Sequence, residues 1–126
     1  MTDFLILPIF LFYDTIMIQT FSLKMWQENV KKVSKQPLQI NYLYALLSYI
    51  CISIGIYLIS KKYEENYLGY GILLGLAIYG TYNFTNLGIF KDYDIRTGLL
   101  DTVLGTISII LTLYTVKLIK NYYKNK

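Results

Sequence analysis

The chain has no histidine and a single cysteine in 126 residues. Without histidine there is no imidazole base, and most zinc sites lose their ligands; one cysteine excludes iron–sulfur clusters and any intrachain disulfide. That cysteine, Cys51, lies inside an apolar run, where a buried thiol behaves as a small hydrophobe. It is given no role, and no metal or cofactor is expected. Charge is also scarce. Charged residues make up 16% of the chain against 55% hydrophobic, whereas soluble domains carry about a quarter of charged residues. Mean hydropathy is positive, which leaves no room for a large soluble domain. The net charge of +4 resides in lysines at segment ends. That is membrane-flanking charge and not a nucleic-acid surface, so no nucleic-acid partner is expected.

What is present is apolar length. Four runs, about 4–23, 38–60, 67–90 and 98–116, are each near the roughly 20 residues that cross a hydrocarbon core. None shows strand-like alternation, and helices are the open structures that satisfy every backbone group in lipid. The expectation is therefore an all-α integral membrane protein: one domain over residues 1–126, folded as an antiparallel four-helix transmembrane bundle with short loops. The first run has no basic start, carries Asp14 at its middle and lacks a small-residue cleavage pattern, so it reads as a retained helix.

The segment from Lys24 to Pro37 carries Lys24, Lys31, Lys32, Lys35 and Trp26, with room for a short amphipathic helix on the membrane surface. Lys61, Lys62, Glu64 and Glu65 mark a tight turn, and Lys91, Asp92, Asp94 and Arg96 a second one. Tyrosines at the run ends fit aromatic belts. Four spans put both termini on one side of the membrane. Lysine and arginine do not say which side, because each face collects six of them.

Polar residues gather where helices one, three and four would meet. Asp14 is mid-helix in the first run; Thr81, Asn83, Thr85 and Asn86 crowd the end of the third; Asp101 enters at the first turn of the fourth. At 1.5 Å per residue, Asp101 is about 4–5 Å from the common face, Asn86 about 6 Å, Asn83 about 10 Å and Asp14 about 13 Å. Asp101, Gly105, Ser108 and Thr112 share one stripe of the fourth helix, and Tyr79, Asn83 and Asn86 one stripe of the third. Gly71 and Gly75 form a GxxxG step, so Gly71, Gly75 and Gly105 are candidates for close helix packing. The second run, with Asn41, Ser48, Ser53 and Gly55 among apolar residues, reads as a packing wall. Asp14 has no Lys or Arg at its depth. It is expected to be protonated, hydrogen-bonded to the Asn and Thr groups, or beside water. Asn and Thr in such helices serve commonly as interhelical glue, and Asp101 in a first turn complements the helix dipole.

The stretch Tyr79-Gly80-Thr81-Tyr82-Asn83-Phe84-Thr85-Asn86-Leu87, with Asp101 and the Gly105-Thr106 pair that follow, resembles the predicted membrane proteins of domain-of-unknown-function family 2177 (DUF2177), found in bacteria and large DNA viruses. The resemblance covers essentially the whole chain and is strongest from Gly71 to Thr106. Asp14 falls where the family carries an aspartate in its first helix, whereas Asn83 stands where bacterial members usually carry Asp. The resemblance implies four spans and supplies no activity, substrate or cofactor. Many members begin with basic residues, which favours cytoplasmic termini, whereas this chain begins Met1-Thr2-Asp3. Together with a composition rich in Ile, Lys, Asn and Tyr, the resemblance points to a large-virus source, with virion and host membranes as the settings.

Three functions are weighed. The first is a structural or interaction component of a membrane, partnered by the bilayer and by its own copies or other membrane proteins. The second is a small oligomeric transporter, channel or ligand-binding module using the Asp/Asn cluster, with Gly71 and Gly75 as one contact between copies. A membrane enzyme ranks last, since no nucleophile with an evident base, metal set or phosphate loop stands out.

Overall fold

The computed structural model describes residues 2–126, and every regular element among them is helical. A 3-10 turn, Asp3–Leu5, leads into α1 (Ile6–Met17), a π turn (Ile18–Ser22) and α2 (Leu23–Ser34). These join into one helix from Asp3 to Ser34. α3 spans Tyr42–Lys62. After a 3-10 turn at Glu64–Asn66, α4 (Tyr67–Gly75), a second π turn (Leu76–Gly80) and α5 (Thr81–Ile89) follow without a break, and α6 runs Ile95–Lys124.

The boundaries have local causes. α2 stops at Lys35, which takes a left-handed φ of 63° while its N–H bonds to the Lys31 carbonyl. The Asn41 side chain accepts from the amides of Leu43 and Tyr44, and Asp94 does the same for Arg96 and Thr97. Each satisfies N–H groups that the first helical turn leaves unpaired.

These ends correct the sequence reading. The first helix continues through the expected surface segment to Ser34, the second starts at Tyr42 and not at residue 38, and the last covers 95–124 in place of 98–116. Lys117, Lys120 and Lys124 therefore sit on α6 and not in a tail. At 1.5 Å per residue α6 is about 45 Å long, more than the roughly 30 Å hydrocarbon core.

Three helices are long and apolar enough to cross a membrane: Asp3–Ser34, Tyr42–Lys62 and Ile95–Lys124. Residues 67–89 are also helical, about 34 Å of helix at 1.5 Å per residue. Tyrosine, threonine and asparagine (Tyr79, Thr81, Tyr82, Asn83, Thr85, Asn86) dilute the apolar content of that stretch. It is long enough, and by its apolar content it does not join the other three.

The interior is layered. Ile6, Phe10, Ile56, Ile59, Ile109, Leu113 and Val116 form one apolar core. Asp14, Asn83, Thr97, Thr102 and Ser108 are buried toward the end where α6 begins. The apolar end is closed by contacts among chain ends: Lys61 to Asp3 at 3.3 Å, Lys117 to Glu65 at 3.2 Å, and Lys120 to Glu64 at 3.6 Å. Lys120 also donates to the Ser60 carbonyl at 2.9 Å and to its hydroxyl at 2.6 Å.

α4 and α6 are brought together by glycine. A Cβ at Gly71 would stand 3.1 Å from Ile110 and 3.2 Å from Leu113; one at Gly75 would run into the Thr106 side chain, and one at Gly105 into the Tyr79 ring. Such close backbone approach replaces the hydrophobic driving force that helices lack inside lipid. The GxxxG face is thus filled by the chain's own last helix.

Candidate functional site

Asn83 is the hub of the polar layer, only 1% exposed. Its Nδ2 donates to Asp101 Oδ2 at 2.7 Å, to the Tyr79 carbonyl at 2.9 Å and to Thr102 Oγ1 at 3.2 Å. Its Oδ1 accepts from the Tyr93 hydroxyl at 2.6 Å. Both faces of one amide are therefore used, and α5, α6 and the loop between them are held at a single point. Burial pushes the Tyr93 hydroxyl up to about 12, with the Asp101 carboxylate adding to the shift, so it is a donor at any physiological pH. The Trp26 indole also faces Asp101. Its ring lies 6.3 Å from those of Tyr82 and Tyr93.

Asp14 forms a second tier. The Tyr49 hydroxyl donates to its Oδ2 at 2.5 Å, and the Tyr79 and Ser108 hydroxyls face the same carboxyl. Tyr79 links the tiers, since its carbonyl accepts from Asn83 while its ring packs on Gly105. π turns are rare and concentrate at functional sites. Here one, Leu76–Gly80, contains Tyr79 and immediately precedes Asn83's helix; the other, Ile18–Ser22, follows Asp14's helix.

The hydroxyls along α6 are satisfied within that helix. Thr102, Thr106, Ser108 and Thr112 donate to the carbonyls four residues earlier, at 2.7–3.0 Å. This back-bonding satisfies the hydroxyl protons within α6, while Thr102 Oγ1 also accepts from Asn83 and the Ser108 hydroxyl faces Asp14.

Of the residues expected from sequence, Asn83 and Asp101 are in direct contact, and Asp14 lies in the adjoining tier. Asn86 is half-buried and faces the Tyr82 and Tyr93 hydroxyls. Thr81 and Thr85 are exposed and stand outside the cluster. They fall two residues to either side of Asn83, and on a helix such neighbours point away from one another. The packing-wall reading of the second run also needs correction, because Tyr49 of α3 supplies the bond to Asp14. Tyr49, Tyr93 and Trp26 are the partners that sequence reasoning missed. For Tyr49 the available signal was a tyrosine deep in an apolar run, whose hydroxyl requires an acceptor when buried.

At the outer edge, Asp94 sits below the ordinary carboxylate range. The Thr97 hydroxyl holds it there first, at 2.8 Å, then the Arg96 and Thr97 amides and the nearby Lys32 charge. Its own amide donates to Asn29 Oδ1 at 2.7 Å, which ties α2 to the start of α6.

Residues 2–117 match the family described as "Predicted membrane protein (DUF2177)". The chain belongs to the DUF2177 family. No curated protein and no solved structure matches it. The matched span takes in all the residues of both tiers, from Asp14 to Ser108, so the cluster lies wholly inside the DUF2177 region. It is a predicted membrane protein by family, with apolar helices of membrane-crossing length.

Proposed function

We propose that this DUF2177 protein is a structural or interaction component of a membrane, folded as four antiparallel spans with residues 67–89 as the third, both termini on one side, and no catalytic role. One observation carries the reading: the polar groups of the Asp14 and Asn83–Asp101 tiers are satisfied by one another. Tyr49 bonds Asp14, and Asn83 bonds Asp101, Thr102 and the Tyr79 carbonyl. Large apolar side chains such as Phe12, Leu43, Ile54, Leu73, Phe84 and Val103 are turned outward instead. A hydrogen-bonded interior with an apolar exterior specifies helix register and leaves the surface for lipid or partner helices. The ion pairs at the apolar end favour the antiparallel order, since they gather the chain start, the 61–65 turn and the last turns of α6. Partners on this reading are the bilayer and other membrane helices, of its own kind or not. The GxxxG step is occupied within the chain, so a contact between copies would use another face.

A second reading, a small oligomeric transporter, channel or ligand-binding module, is favoured by Asp14 alone. It is a carboxyl only 6% exposed in mid-helix, faced by hydroxyls, and an intramembrane acid is by default a functional candidate. Reconstituted vesicles decide between the two. On the first reading, Asp14→Asn and Asp101→Asn preserve helicity and assembly, and vesicles show no proton or solute flux that depends on either acid. Flux abolished by Asp14→Asn, with the fold retained, would transfer the assignment to the second.

A further inference from the structure

The face of α2 that points away from the bundle is charged, rigid and unclaimed by the interior. Lys24, Glu28, Lys31 and Lys35 follow one another at i, i+4, i+7 and i+11 and are all exposed, with Lys32 exposed beside them. The opposite stripe holds Trp26, Asn29, Val30 and Val33, which are buried or half-buried. Two contacts fix the helix: Asn29 accepts the Asp94 amide, and Trp26 packs on Tyr82 and Tyr93. Tyr82 and Asp101 both lie well inside their helices, about 10 Å of helix from the ends. A helix whose Trp26 reaches them lies along the flank of the bundle and not on top of it.

The two ends of the molecule use their basic residues differently, although each has six. At the apolar end Lys61, Lys117 and Lys120 are engaged by Asp3, Glu65 and Glu64, and Lys61, Lys117 and Lys126 lie over tyrosine rings. At the α2 end, Lys35 donates to the Lys32 carbonyl at 3.0 Å and has a 3.8 Å approach to Asp92, while Asp94 is occupied as the cap of α6. Lys24, Lys31 and Lys32 project from a helix that the fold holds still.

We propose that the outer face of α2 binds the anionic headgroups of membrane phospholipids, with Lys24, Lys31, Lys32 and Lys35 as the contacts. Charge complementarity selects the occupant: amines spaced along about 18 Å of helix on the flank of the bundle meet phosphates of the surrounding leaflet before any soluble polyanion. Apolar lysine stems run back along the protein while the amines reach outward. The inference rests on the chain being a membrane protein and is independent of what the Asp14 cluster does.

The test uses the full chain in nanodiscs of equal phosphatidylcholine and phosphatidylglycerol, followed by mild detergent extraction and quantification of retained lipid. Each lysine near an anionic surface strengthens attraction about fivefold. Screening reduces the sum, so the quadruple variant Lys24→Gln/Lys31→Gln/Lys32→Gln/Lys35→Gln is expected to lose about tenfold or more of the phosphatidylglycerol preference. The control Lys62→Gln/Lys124→Gln/Lys126→Gln, at the other end, keeps it. Trp26 is the only tryptophan in the chain, and unchanged emission in the quadruple variant shows that α2 remains seated. Heparin added in solution leaves the retained lipid in place. The proposal is overturned by a wild type with no preference, by a preference that survives the quadruple substitution, by an equal loss in the control, or by heparin displacing the lipid.

Discussion

The Tyr49 hydroxyl and the Asp14 carboxylate meet at 2.5 Å, across the boundary between α3 and α1. The bond sits beside the Phe10–Tyr49 edge-on ring contact, whose centroids are 5.5 Å apart. One tyrosine thus serves both layers of the interior: its ring joins the apolar core, and its hydroxyl begins the polar one. Asp14 contributes the acceptor from α1 and Tyr49 the donor from α3, so this pair sets the position of α1 along α3. Sliding α3 by one turn would remove this donor and leave the carboxyl only the Tyr79 and Ser108 hydroxyls.

Removing the donor tests that claim. Tyr49→Phe keeps the ring packing and deletes the bond, so its cost isolates the hydroxyl. Hydrogen bonds between membrane helices average about 0.6 kcal/mol and reach about 1.7 kcal/mol, and a carboxyl acceptor belongs at the upper end of that range. Unfolding by denaturing detergent in mixed micelles should show a loss of about 1–2 kcal/mol. In the Asp14→Asn background the same change should cost measurably less. Equal losses in both backgrounds would separate the hydroxyl from Asp14.

Glycine substitutions probe the seam between α4 and α6. Gly75→Ala puts a methyl into Thr106, and Gly105→Ala puts one into the Tyr79 ring. Overpacking of this kind costs about 1–3 kcal/mol. Gly69 and Gly88 have open space where a Cβ would go, and alanine there gains helix propensity of up to about 1 kcal/mol. The four variants should therefore split in sign in the same detergent titration. A uniform loss would mean that backbone approach at Gly75 and Gly105 is not what joins the helices.

Much of this architecture was legible in the residues, and the failures have physical causes. Apolar runs located the helices because lipid-compatible length is written directly in composition. Asp14, Asn83 and Asp101 stood out because each is costly in that setting. The helix ends were harder to read. Leu38 and Ile40 continue the apolar pattern, yet Asn41 caps α3 with its side chain and starts it later. The expected break at Lys24 is bridged by a π turn that carries the helix on to Ser34. Tyr49 and Tyr93 escaped because tyrosine in a membrane protein reads equally as belt, core or donor; only the fold says which acceptor lies within reach. Thr81 and Thr85 were included by proximity in sequence, where helical facing separates them from Asn83.

Lys120 and Lys117 give a contrast between two lysines one turn apart. Lys120 donates to both oxygens of Ser60 and approaches Glu64, and its side chain is 16% exposed. Lys117 pairs with Glu65, whose side chain is 88% exposed. Charged hydrogen bonds in partly buried positions contribute about 1.5–3 kcal/mol, and exposed pairs about 0–1 kcal/mol. Lys120→Met should accordingly destabilise by more than 1 kcal/mol and Lys117→Met by less, with added salt weakening only the Lys117 contribution. The reverse order would deny that Lys120 clamps α6 to the end of α3.

Asp94 sets the pH response at the other end. Its carboxyl caps α6 and is held below the ordinary range by the Thr97 hydroxyl, by the Arg96 and Thr97 amides and by Lys32. A folded-state value below the unfolded one means that the unfolded chain binds the proton more readily. The contribution is thus fully present above about pH 5 and disappears as pH falls through the unfolded value near 3.9 and then through the lower folded value. Replacing the cap with Asp94→Ala should cost about 1 kcal/mol at neutral pH. The gap between wild type and variant should stay constant down to about pH 5 and narrow below about pH 4. Asp94→Asn retains a good cap and should recover most of the neutral-pH loss, with a stability that does not follow this titration. Helix unfolding in micelles, followed by circular dichroism across about pH 3 to pH 7, measures all three proteins on one scale. A gap between wild type and Asp94→Ala that widens toward acid would reverse the sign and remove Asp94 as the cap that starts α6.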